Sequence, residues 1–127
     1  MNPPIFAAAN VAAVQALLKT GNGPLRFYAW GMGPQPPVYP YAVWRFSAGA
    51  PENYLGQVPD IDGMSLQVNV YAAATDNQGA EKVRQIAQAL RNAIEPVAHI
   101  TAWRGESRDP DTKAYVYSFD VDFWTPR

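Results

Sequence analysis

Between Met64 and Ile94 the hydrophobic period changes from two to about 3.6, and this change constrains the fold more than any other feature of the chain. Met64, Leu66, Val68, Val70 and Ala72 alternate with Ser65, Gln67, Asn69 and Tyr71, the pattern of a strand with one buried face. After Ala74-Thr75-Asp76-Asn77-Gln78-Gly79, apolar Val83, Ile86, Ala87, Leu90 and Ile94 recur at helical spacing, with Glu81, Lys82, Arg84, Gln85 and Arg91 on other faces. The spacing predicts a strand feeding an amphipathic helix. Thr75 followed by Gln78 has the form of a capping box, and Pro96 is expected to end the helix by disfavouring helical geometry at Glu95.

The other segments are expected to pack around that unit as a single domain, residues 1–127, since 48% hydrophobic residues can fill one core at this length. Asn2-Pro3-Pro4 offers a polar cap with prolines in the first turn. One helix is predicted from Ile5 to Lys19, with Ile5, Ala8, Ala9, Ala12, Ala16 and Leu17 as its apolar stripe. Thr20-Gly21-Asn22-Gly23-Pro24 stops it. Arg26 to Trp30 reads as a short aromatic strand, and Tyr41 to Ala48 as a longer one. Between them Gly31 to Pro40 is too rich in proline for a ladder. It reads as a stiff connector rather than a polyproline II ligand, because strand patterns flank it.

Gly49 to Gly63 is predicted to be a long irregular loop, and Tyr54, Leu55, Val58 and Ile61 make it too apolar for a plain solvated linker. Val97 to Arg104 is a candidate strand, with Ala98, Ile100 and Ala102 on one face and His99, Thr101 and Trp103 on the other. A charged turn, Gly105 to Thr112, leads to a last strand from Lys113 to Trp124. That strand sets Tyr115, Tyr117, Phe119, Val121 and Phe123 against Val116, Ser118, Asp120 and Asp122. The expected architecture is α+β in two layers: a mixed or mainly antiparallel sheet of four or five strands, two helices on one face, and a polar face opposite.

Chemistry-bearing motifs are sparse. His99 is the one histidine and no Gly-x-Ser-x-Gly elbow accompanies it. Asp120 and Asp122 share a strand face, as any solvated pair at this spacing does. Asp60-Ile61-Asp62-Gly63 lacks the remaining ligands of a calcium loop, and Gly31-Met32-Gly33 lacks the third glycine and the helix of a dinucleotide fingerprint. With no cysteine, disulfides, thiolate catalysis and Cys-ligated zinc are excluded. Ten Lys plus Arg against eleven Asp plus Glu show no basic surplus for nucleic acid, and low self-repulsion suits a chain that associates. Neither a secretory signal pattern nor an apolar run of about 20 residues is found, so a soluble, intracellularly made protein without catalytic site, metal or cofactor is expected.

Pro40-Tyr41-Ala42-Val43 opening a strand, Pro51-Glu52-Asn53-Tyr54-Leu55 after it, Leu66 to Ala72 leading into an Ala/Arg-rich helix, and an aromatic closing strand resemble the tail-completion or tail-terminator proteins of long-tailed bacteriophages, from about Ile5 to the end. The resemblance implies a two-layer α+β domain without catalysis. It implies a ring, commonly of six subunits, that caps the tail tube, stops its growth and presents a surface to the head connector. DNA would pass through without specific binding. Expected partners are then further copies of the chain, the tube protein and the connector, in the virion tail and, during assembly, the host cytoplasm.

On that reading Glu52, Asn53, Tyr54, Leu55, Val58 and Ile61 are candidates for subunit or tube contact, because large apolar groups in an irregular segment want a partner. Gln67, Asn69, Asp120 and Asp122 would face the lumen, where the carboxylates repel phosphate. Two alternatives belong to other classes. One is a small-molecule module or enzyme with an aromatic pocket converging on His99 or Glu52. The other is an adaptor that offers Pro34 to Pro40 to a proline-recognition domain.

Overall fold

The computed structural model describes residues 5–52 and 61–126, and for strand residues 48–52, 61–62 and 124–126 it describes the backbone alone. In chain order the elements are α1 (Ile5–Ala9), α2 (Ala12–Leu18), β1 (Phe27–Ala29), β2 (Tyr41–Glu52), β3 (Ile61–Ala72), α3 (Gly79–Ile94), β4 (His99–Arg108) and β5 (Tyr115–Pro126). The fold is α+β. Its five-stranded mixed sheet has the order β1-β2-β3-β5-β4, with β1 parallel to β2 and every other pair antiparallel.

The centre forms as its periodicity predicts. Met64, Leu66, Val68 and Val70 of β3 stand in register with Phe123, Val121, Phe119 and Tyr117 of β5, so the apolar alternates of two strands far apart in sequence share one face. That face joins Val83, Ile86, Ala87, Leu90 and Ile94 of α3, Ile5 and Ala9 of α1, and Val14 and Leu18 of α2 in a single buried core. Burial of this kind is worth roughly 1.5–3 kcal/mol for each large side chain, which makes this layer the main source of stability.

Five local expectations change. The first helix is two: Asn10 and Val11 interrupt it, Val11 is extended (φ −120°, ψ 163°), and the Asn10 side chain accepts a hydrogen bond from Gln15 Nε2 at 2.9 Å. Asn competes locally with helical bonding, and the β-branched residue after it does not restore it. The described residues therefore form three helices rather than the two expected.

The Thr75–Gln78 capping box does not form. Gln78 occupies the N-cap of α3 without a side-chain cap bond, while Asp76 Oδ1 accepts the Gln78 N–H at 2.9 Å and Oδ2 accepts from Lys82 Nζ at 2.5 Å. A carboxylate outcompetes a hydroxyl as acceptor here, and the lysine bond holds the Asp76 carboxyl below its usual range. At the other end Glu95 stays helical (φ −52°, ψ −34°) directly before Pro96. The helix ends where expected, but because Pro96 has no N–H to contribute and not because Glu95 is forced out of helical geometry.

Both described ends of the predicted loop from Gly49 to Gly63, residues 49–52 and 61–63, are strand. β2 continues to Glu52 and β3 starts at Ile61, with Glu52 and Ile61 as partners, and β5 follows the same extension to pair Pro126 with Ile61. Gly49, Ala50 and Pro51 have no strand propensity of their own, so the ladder here is imposed by neighbouring strands, with a bulge at Ser47. The last strand begins at Tyr115 instead of Lys113, because Lys113 adopts φ 64° in a turn whose Asp109 carboxylate accepts the N–H groups of Asp111 and Thr112.

The proline segment explains how β1 and β2 can be parallel neighbours. Such a pair requires a crossover, usually a helix. Here the crossover is Trp30 to Pro40, and Pro34, Gln35 and Pro37 border a cavity with Tyr28, Tyr41, Val43 and Tyr71. The register puts those four strand residues on the face opposite the core. A stiff, non-helical segment thus crosses one corner of the polar face. Among the described residues no helix is long and apolar enough to span a membrane.

Candidate functional site: a polar sheet face between two apolar edges

The face opposite the core is a set of paired polar groups. Arg45 of β2, Gln67 of β3 and Asp120 of β5 stand in one transverse row, and a bulge in β4 brings Arg104 to its end. Arg45 Nε donates to Gln67 Oε1 at 2.8 Å. Arg104 Nε donates to both Asp120 oxygens at 3.0 Å, and its Nη2 reaches Oδ2 at 2.6 Å. Asp120 lies deeper than its partner, with the Asp120 side chain 15% exposed against 58% for Arg104. The carboxylate pushes the Arg104 guanidinium above its already high range, which keeps the cation charged beside it.

Neighbouring rows follow the same rule. Ser65 Oγ donates to Asp122 Oδ1 at 2.7 Å, Ser118 Oγ donates to Asn69 Oδ1, and His99 stands in register with Asp122. The four predicted face residues Gln67, Asn69, Asp120 and Asp122 therefore do lie on one surface, but Asp120 is not a bare negative charge. Sequence reading missed Arg45 and Arg104. Arg45 was legible from strand alternation, whereas Arg104 reaches this face through two irregularities in β4, between Ile100 and Ala102 and between Trp103 and Gly105.

The same irregularities reverse another expectation. Trp103 was placed with His99 and away from Ile100; instead it pairs with Phe119 and packs on the Phe119 and Tyr117 rings at 5.2 and 5.6 Å between centroids. The Arg91 guanidinium of α3 lies 5.8 Å above it. Each bulge shifts the alternation by one residue, so Ile100 and Trp103 share the core side while His99 and Ala102 share the polar side.

At the other end of the polar face the residues are aromatic. The Tyr41 and Tyr71 rings stack at 4.9 Å, Tyr39 lies 5.3 Å from Tyr41, and Tyr28 is 6.4 Å from it. Burial first, then the neighbouring tyrosines and Asp109, push the Tyr41 hydroxyl up to about 12, and burial raises Tyr71 as well. With the proline crossover, Tyr28, Tyr41 and Tyr71 border a cavity of about 300 Å³. A second, wider groove of about 430 Å³ lies at the sheet edge and is bordered by Ala29, Trp30, Trp44, Arg45 and Phe46.

Both aromatic-lined spaces are at the β1–β2 edge. His99 is on β4, the opposite edge strand, and borders neither of these two spaces. Asn53, Tyr54, Leu55 and Val58 lie outside the described residues, as do the side chains of Glu52 and Ile61; the two backbones form the last described pair of the β2–β3 hairpin. No group of three metal-ligating side chains converges among the described residues.

A sequence model of the family described as "Tail completion protein gp17" matches residues 4–126. The chain belongs to the tail-completion protein family. Comparison with curated proteins gave no match. Among solved structures, gp17 of bacteriophage SPP1 superimposes with a TM-score of 0.54 at 12% identity, covering 94% of this chain and 87% of that one, which is a likeness of fold. Family membership gives the tail-completion protein a structural role in the phage, as a component of the virion tail.

Proposed function

We propose that this tail-completion protein assembles as a ring, of six subunits by family resemblance, on the last ring of the tail tube. There it stops tube growth and offers the surface on which the head connector joins the tail. The observation that carries this reading is the family match across residues 4–126, together with a sheet whose face opposite the core is polar and internally paired. In the ring Gln67, Asn69, Asp120 and Asp122 face the lumen. Because Arg104 neutralises Asp120 and Arg45 adds a cation to the same row, the lumen is close to charge-balanced rather than strongly acidic. DNA would then slide past without the counterion release that makes basic surfaces hold it.

Glu52, Asn53, Tyr54, Leu55, Val58 and Ile61, where β2 ends, β3 begins and the chain passes between them, are the proposed contact to tube or neighbouring subunit. The two flanking strands are supported by β5 as far as Pro126, which gives this segment a three-stranded base. Tail tubes lacking their terminator, mixed with the purified protein and imaged by electron microscopy, test the proposal. Ring-shaped caps at one tube end and arrested elongation are expected; uncapped tubes that keep growing overturn it.

A further inference from the structure

We infer that copies of this chain join head to tail through the two opposite edges of the sheet, the β1–β2 edge of one copy receiving the β4 edge of the next; the inference rests on the ring reading above. At the first edge β1 pairs with Ala42 to Trp44 only, and the Trp30 N–H donating to the Trp44 carbonyl is the last bond before the chain turns away at Gly31. β2 runs on to Glu52 with no strand beside it on that side among the described residues. Next to this open ladder stand Trp30, 74% exposed, Met32, 75%, and Phe46, 48%. At the other edge Trp103 and, just before β4, Val97 are the large exposed apolar residues.

Two features select a second copy as the occupant. The first is placement. Phe46 is in register with Leu66, and Trp103 with Phe119, so these two residues belong to the core-side face and lie at its two lateral ends. A rotation about an axis along the strands brings one patch against the other and leaves every polar face turned the same way, toward the axis. Different patches that meet in this manner make a heterologous contact, the kind that closes into rings.

The second is area. With about 200 Å² for a large side chain, the five exposed residues present roughly 600 Å² of apolar surface. At the usual apolar share this corresponds to about 1,000 Å² buried in all, where specific interfaces begin. Neither patch alone reaches that size. A net charge of −1 adds little repulsion between copies.

The chain has no cysteine, so introduced thiols report the contact cleanly. Phe46→Cys and Trp103→Cys are made singly and together, with Trp30→Cys and Val97→Cys as a second, more exposed pair that leaves the core untouched. A short bifunctional maleimide is applied to the protein bound to tail tubes. The expected result is no cross-linked species from any single variant, a dimer from a mixture of the two singles of a pair, and a ladder ending at the ring size from the double variant. Dimers from a single variant alone, which mean like-to-like contact, overturn the inference, as does failure of both pairs to cross-link. If tubes are capped and nothing cross-links, the edge contact is wrong and the ring reading survives. If ladders form on tubes without caps, the edge contact stands and the ring reading is wrong; with neither caps nor ladders, both fall.

Discussion

The two faces of β3 and β5 are built from the same strands in the same register, yet they hold together by different physics. On one face Leu66, Val68, Phe119, Val121 and Phe123 are fully or almost fully buried against helices, and stability comes from apolar area and close packing. On the other, Ser65–Asp122, Asn69–Ser118 and Arg104–Asp120 satisfy each other in partial contact with water, where a paired charge contributes little net stability. The first face makes the domain and the second is available for function. Altering the apolar face should therefore act on folding, and altering the polar face on assembly or passage of DNA.

Phe119→Ala should break the comparison most severely. Phe119 is wholly buried at the centre of the apolar face and Trp103 leans on its ring, so the loss should be about 3–5 kcal/mol, read as a lower denaturation midpoint in urea. The aromatic end of the polar face gives an intermediate, pH-dependent effect. Tyr41 ionises near its ordinary 10.0 when unfolded but only at about 12 when folded, so its contribution is fully present below pH 10 and is lost as pH rises from there toward 12. Thermal unfolding in that window should fall more steeply for the wild type than for Tyr41→Phe, and equal slopes would place the alkaline sensitivity elsewhere.

Asp120→Asn should have the smallest effect on stability, a shift of at most a few degrees in melting temperature, because the mostly exposed Arg104 can turn to water. Its consequence belongs to function. With Arg104 no longer neutralised, DNA in assembled tails should be retained more strongly at low salt than at high salt. Release kinetics identical to wild type at both salt concentrations would argue against this face lining the DNA path.

Much of this was legible in the residues. Alternation in Met64 to Ala72 and Tyr115 to Phe123 and the stripe from Val83 to Ile94 predicted the core side chains that are observed, and the polar alternates named the candidate face. Arg104 and Trp103 were not legible, since a bulge is a property of the strand pair and leaves no mark in local periodicity. Nor was the parallel β1–β2 pair, which turned a proline-rich connector into a crossover lying on three tyrosines and a valine rather than a simple link.

The sequence alone determined which side of each central element is apolar, because a side chain's burial preference is written in its own chemistry and repeats at the period of its element. It also determined the family, through the order of short motifs from Pro40 to the closing strand. Only the tertiary structure decided where strands end, which helix breaks, and which charges meet. The ladder at Gly49 to Glu52 exists because β3 lies beside it, and Asp120 is neutralised because β4 slips its register, and these partners are contributed by distant segments that no local pattern encodes.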